Sequence, residues 1–97
     1  MGAIKTTYFD ASGWDLAFFY ITAMTFSSAV LFICDNSFAA AETNHLLVDC
    51  DNTFPRTGTG SVNIANSNAA PDTTSGGYDG QTAKDNLILN GYTVTTN

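Results

Sequence analysis

Tyr8-Phe9-Asp10-Ala11-Ser12-Gly13-Trp14-Asp15-Leu16 places apolar residues at Phe9, Ala11, Trp14 and Leu16, with a Ser-Gly turn between them. The frame returns as Leu31, Ile33, Asn36 and Phe38, then as Val62, Ile64, Ser67 and Ala69. A truncated copy closes the chain as Tyr92, Val94 and Asn97. From Phe9 to Leu31, Val62 and Tyr92 the spacings are 22, 31 and 30 residues. A strand-and-turn unit recurring every ~20–50 residues is the pattern of a solenoid, in which each unit covers its neighbour.

The 97 residues are enough for one domain, 1–97. With 44% hydrophobic and 12% charged residues, the chain has material for a small core and too little charge for a disordered segment. The net charge is −6, and Lys5, Arg56 and Lys84 are its cations. So few cations cannot neutralise phosphates, which argues against nucleic acid and against anionic membranes as partners.

Outward from the quoted stretch, Thr6–Ala11 reads as a strand rich in β-formers, ended by Ser12-Gly13. Residues 16–34 carry no charge over 19 positions, the length of a membrane span. Thr22, Thr25, Ser27 and Ser28 interrupt the run, and Asp15 and Asp35 flank it without a basic anchor. The acidic residues ahead of it also fit a signal peptide poorly. Two buried elements joined by a turn at Thr25–Ser28 fit better. On that basis Asp15–Met24 is an outer segment and Ala29–Cys34 the second strand, with Leu31 and Ile33 inward.

The strongest helical pattern covers Ala39–Asp51. Thr43, Leu46, Leu47 and Cys50 stand at i, i+3, i+4 and i+7, and Asn36 or Ser37 is the candidate cap. A loop over 52–60 leads to a third strand, Ser61–Ala65. The polar stretch 66–80 reads as a long mobile loop. A second helix is expected over Gln81–Asn90, capped by Asp79 and ended by Gly91 in a left-handed turn. Tyr92–Thr96 is the last strand.

Leu31-Phe-Ile33-Cys-Asp-Asn36-Ser-Phe38 resembles the L-x-L-x-x-N-x-L core of the leucine-rich repeat. The quoted first copy departs from it, with Ala11 for Leu and Trp14 for Asn. The end of the chain carries a more specific likeness. Val62-Asn-Ile64-Ala-Asn-Ser-Asn-Ala69-Ala-Pro71, Thr82-Ala-Lys84-Asp-Asn-Leu87 and Gly91-Tyr-Thr-Val-Thr-Thr-Asn97 resemble leucine-rich-repeat-like modules at the C-termini of phage virion proteins and bacterial surface proteins. Tyr92 stands where that family usually has Trp. The resemblance implies a short leucine-rich-repeat-like solenoid of about four parallel strands backed by short helices and loops. It implies a binding or structural module and not an enzyme.

Cys34 is expected on the outward side of its strand and Cys50 on the helix behind. Such a pair is too far apart for a disulfide, so two free thiols are expected. Two cysteines are too few for structural zinc. His45 has no nucleophile placed beside it by motif and reads as a surface or half-buried residue. Asp49-Cys-Asp51-Asn52 lacks the Gly and distal Glu of a calcium loop. Gly76-Gly77-Tyr78-Asp79-Gly80 lacks the Lys and spacing of a phosphate loop. No catalytic, metal or cofactor residue is assigned.

The expected contact surface is the sheet face, with Tyr8, Asp10, Val30, Phe32, Asn63 and Thr93 outward. Repeats without caps leave apolar layers open. Phe9 and Leu16 at one end, and Tyr92 and Val94 at the other, are therefore expected to meet another chain or another copy. The leading functional expectation is a phage virion structural protein, a capsid decoration or tail-associated component, self-associating and bound to other virion proteins. One alternative is a module on an extracellular surface that binds a host protein or glycan through the sheet face. The other is a small membrane-anchored protein using residues 16–34.

Overall fold

The computed structural model describes the backbone of residues 4–10 and 24–97, with side chains from 26 onward. The element order is β1 (Ile4–Asp10), β2 (Met24–Ile33), α1 (Ala40–Thr53), β3 (Ser61–Asn63), a 3-10 turn (Ser75–Gly77), α2 (Gly80–Leu89) and β4 (Thr93–Thr95). The fold is α/β. The strands form one sheet in the order β1-β2-β3-β4, and every neighbouring pair is parallel. The outer segment expected over Asp15–Met24 lies outside the described residues up to position 23. Met24–Ile33 is a strand of this sheet. Among the described residues no helix is long and apolar enough to cross a membrane.

The register corrects the inward and outward assignment of β2. Phe32 pairs with Phe9 on one side and Val62 on the other, and Val62 pairs with Val94. The expected frame had set Leu31 against Val62. A slip of one position moves every side chain to the opposite face. Val30, Phe32 and Cys34, expected outward, are fully buried, while Leu31, expected inward, is 38% exposed. Ile33 is half-buried. Ala29–Cys34 is apolar at both parities, so alternation alone cannot choose its face.

β2 is also irregular. Thr6 pairs with Phe26 and Tyr8 with Leu31, so five steps on β2 oppose two on β1. The extra residues form a bulge. Within it Ser27 Oγ accepts from the Ala29 N–H at 3.1 Å. The Ser28 carbonyl turns to the following loop and accepts from the N–H groups of Thr59 (2.7 Å) and Gly60 (3.1 Å). The backbones touch here. A Cβ on Gly60 would lie 2.2 Å from the Val30 carbonyl oxygen, so Gly60 admits no side chain.

One core lies between the sheet and the two helices. It joins Phe26, Val30, Phe32 and Cys34 of the β2 segment to Leu46, Leu47, Cys50 and Phe54 of the α1 segment. Phe38, Val62, Ile64, Ala83, Leu87 and Tyr92 complete it. Phe54 is its aromatic centre, with ring centroids 4.8 Å from Phe26, 5.9 Å from Phe32 and 5.3 Å from Tyr92. The helical stripe Thr43, Leu46, Leu47 and Cys50 is buried as the spacing predicts. Cys34 and Cys50 are free thiols, but both belong to this core and do not lie on opposite sides.

The helix ends follow local chemistry. Ala39 stands at the N-cap of α1 without a side-chain cap bond, and neither Asn36 nor Ser37 serves. It stops where Phe54 turns extended ahead of Pro55, as a residue before proline prefers. α2 is capped as expected. Asp79 accepts from the Thr82 N–H at 2.9 Å and from the Thr82 hydroxyl at 2.7 Å. These bonds, the backbone one first, hold the Asp79 carboxyl below the usual range. At the other end Gly91 takes φ +108. Its N–H donates to the Ile88 carbonyl (3.0 Å) and that of Tyr92 to Leu87 (3.1 Å), the paired bonds of a Schellman cap.

Candidate partner-binding surface

Among the described residues, the helices cover one face of β2, β3 and β4, and the alternate residues of these strands stand on the other. Two ladders run across that second face in register. One joins Tyr8, Leu31, Ser61 and Thr93; the other joins Asp10, Ile33, Asn63 and Thr95. Tyr8, Phe9 and Asp10 are placed by backbone register alone. Of the expected contact residues, Asn63 and Thr93 stand on this face, half-buried and exposed respectively. Val30 and Phe32 do not; Leu31 and Ile33 take their places. Thr95, not Thr93, stands across from Asn63. The result is a shallow surface with aliphatic groups in the middle and hydroxyls and an amide toward β4.

The β4 end differs from the expected open layer. Tyr92 is 2% exposed, and its hydroxyl donates to the Pro55 carbonyl at 2.8 Å. Burial pushes its phenol above the ordinary value, with Arg56 pulling the other way. Val94 is only partly buried and packs on the rim of the core. Lys84 reaches the same edge and donates to the Thr96 hydroxyl at 2.7 Å. Leu16, the other open-end residue, lies outside the described residues.

The turns after the strands are built around a residue the repeat frame missed. Asn68 is 2% exposed and uses its whole side-chain amide. Its Oδ1 accepts from the N–H groups of Asn36 (3.1 Å) and Phe38 (3.0 Å). Its Nδ2 donates to the carbonyls of Cys34 (2.7 Å) and Ile64 (3.1 Å). One side chain thus joins the ends of two adjacent strands. The frame had given that role to Asn36. The Asn36 amide instead donates to Cys34 Sγ at 3.1 Å. Beside this turn Asp35 accepts from the N–H of Ser67 at 3.0 Å and also from its hydroxyl. Ser37 and Asn66 both take positive φ.

A second polar centre pins the long loop expected to be mobile. Asn44, fully buried on α1, donates from Nδ2 to Asp72 Oδ1 (2.7 Å) and to the carbonyls of Ser75 (3.1 Å) and Tyr78 (3.0 Å). Its Oδ1 accepts from the Asp72 N–H at 2.9 Å. Asp72 Oδ1 also takes the N–H groups of Thr74 (3.1 Å) and Ser75 (2.8 Å). Hydrogen bonds, those of Ser75 foremost, hold the Asp72 carboxyl far below the ordinary aspartate range. Next to this centre the His45 imidazole stacks on Tyr78, with ring centroids 4.4 Å apart. His45 Nε2 is 3.5 Å from Asp49 Oδ1 one turn on. His45 is half-buried, as expected, and bridges helix and loop. Among the described residues no group of three potential metal-ligating side chains forms. No known family pattern, curated protein or solved structure matches this chain.

Proposed function

We propose that the chain is a non-enzymatic, leucine-rich-repeat-like module that acts through protein–protein contacts in a phage virion, as a capsid decoration or tail-associated component. The observation that carries it is the sheet face on which Leu31 is exposed. Among the described residues, β2, β3 and β4 of the four-stranded parallel sheet bury one face under two helices and turn Leu31, Ser61, Asn63, Thr93 and Thr95 outward on the other. Parallel sheets are normally covered on both faces. A face on which Leu31 is exposed suits a neighbouring protein. The strand–turn–helix recurrence and the Asn68-centred turn support the solenoid reading, and the resemblance of residues 62–97 supports the virion setting. The module then works by shape, in repeated copies on a lattice, with the β4 edge a second place of contact.

The test is whether the protein co-sediments with purified particles and is released from them as a stoichiometric component. Leu31→Asp should weaken that attachment and leave the fold intact. A chain absent from particles overturns the virion assignment. A second reading, a surface module that recognises a host protein or glycan through the same face, is favoured by the hydroxyls and amide of Ser61, Asn63, Thr93 and Thr95. Binding to intact host cells without particle attachment would select it.

A further inference from the structure

Asn90-Gly91 is the one Asn-Gly pair in the sequence. Here a backbone nitrogen can attack the preceding side-chain amide with least hindrance, because glycine has no Cβ. The Gly91 nitrogen loses its proton and bonds to Asn90 Cγ. The Cγ–Nδ2 bond breaks and ammonia leaves, forming a five-membered imide. Water then opens the imide at either carbonyl to give aspartate or isoaspartate. Water is the sole co-reactant, and nothing is oxidised or reduced.

The folded geometry opposes the first step. Asn90 sits at φ −78, ψ −2. Ring closure needs the bond to Gly91 N to eclipse Cα–Cβ, about 120° of rotation away. The Gly91 nitrogen also has its proton committed to the Ile88 carbonyl at 3.0 Å. The flanking groups are tied as well: the Asn90 carbonyl accepts from the Gly58 N–H at 3.0 Å, and the Tyr92 N–H donates to Leu87 at 3.1 Å. Tyr92 is anchored below by the buried Phe54 ring and the Pro55 carbonyl.

We propose that Asn90-Gly91 is a self-modification site gated by the fold: it deamidates when the junction between α2 and β4 opens, and the product keeps that junction loose. Either product places a negative charge at the C-terminal end of α2, where the helix dipole is already negative. Isoaspartate also adds one methylene to the main chain ahead of β4, against the Val62–Val94 register. The inference does not depend on the virion reading, since it concerns the chain's own stability.

The experiment incubates the whole chain in mildly alkaline buffer, folded and in urea, and maps the peptides over time. Gly91 amide exchange is measured in parallel. Asn90 should convert in urea ahead of Asn36-Ser37 and Asn66-Ser67, and at least about tenfold more slowly when folded. Tyr92→Phe, which loses the bond to Pro55, should speed both conversion and Gly91 exchange in the folded state. Equal rates in urea and in the folded state, with the Gly91 amide protected, would overturn the gating. An Asn90 that stays intact in urea while another asparagine converts would overturn the site.

Discussion

Asn68 Oδ1 holds the backbone N–H of Phe38 at 3.0 Å across thirty positions of sequence. The same side chain also bonds Asn36, Cys34 and Ile64, so one residue carries four of the hydrogen bonds that tie the two turns together. Asn68→Ala removes four bonds, three of them buried: it strips their partner from the Phe38 N–H and the Cys34 and Ile64 carbonyls, and from the part-buried Asn36 N–H. A buried group left unpaired costs ~1–3 kcal/mol, so thermal or urea unfolding should show a loss of ~3 kcal/mol or more. Asn68→Asp should not rescue it, because a carboxylate faces the Cys34 and Ile64 carbonyls with no proton to offer.

Phe32 and Leu31 are neighbours that should respond in opposite ways. Phe32→Ala removes a fully buried ring that packs on Phe26 and Phe54 and should cost ~3–5 kcal/mol. Leu31→Ala, on the open face, should cost less than ~1 kcal/mol. Urea midpoints of the two variants check the register of β2 directly. The reversed order of effects would restore the inward assignment of Leu31.

Asp72 links the long loop to acid stability. Its folded carboxyl titrates below the unfolded value, because Ser75, Asn44 and Thr74 all donate to the ionised form. Ionisation therefore stabilises the fold fully above the unfolded aspartate value of ~3.9 and progressively less as pH falls below it toward the folded value. Asp72→Asn should be less stable than the parent at neutral pH, and the difference should shrink on acidification. Denaturation midpoints measured from neutral pH down through that range check the sign.

Thr43 is fully buried on α1, and its hydroxyl has no hydrogen-bond partner among the described residues. Thr43→Val keeps the shape and removes the unpaired group. It should raise stability by ~1 kcal/mol, read as a higher melting temperature. A lower melting temperature would mean that the hydroxyl is satisfied in solution.

Cys34 and Cys50 should be silent toward thiol reagents in the native protein. Both are fully buried, and burial, then the Asp49, Cys34 and Asp51 charges, pushes the Cys50 thiol well above its ordinary value. The reactive thiolate is therefore scarce as well as shielded. Both should react in full once urea unfolds the chain. Rapid labelling under native conditions would contradict the packing.

What was legible in the residues was whatever had one local solution. Asp79 and Gly91 bound α2 because a carboxylate can cap an N-terminus and a glycine can take φ +108. Thr43, Leu46, Leu47 and Cys50 mark the inner stripe of α1 because their spacing fits a helical turn. The face of β2 was not legible, since Ala29–Cys34 is apolar at every position and the leucine frame captured Leu31 in place of Phe32. Cys34, a residue type often buried, was the available hint. Asn68 and Asn44 were hidden for another reason. All their partners but Ile64 lie 28–34 residues away, and composition shows only that 66–80 is polar. The bulge at Ser27–Val30 has no signal of its own beyond two serines.

The strand order has a consequence for how the chain reaches this fold. Phe9 with Phe32, Phe32 with Val62, and Val62 with Val94 are separated by 23, 30 and 32 positions, and β1 does not pair with β4. Bringing strands together thus never requires closing a loop of the whole chain's length. Loop-closure entropy rises only with the logarithm of length, so the three closures carry nearly equal cost, and each becomes local once its neighbour has formed. Assembly can start at any adjacent pair and grow outward. Duplicating one strand–helix unit would lengthen the sheet without a new kind of long-range closure.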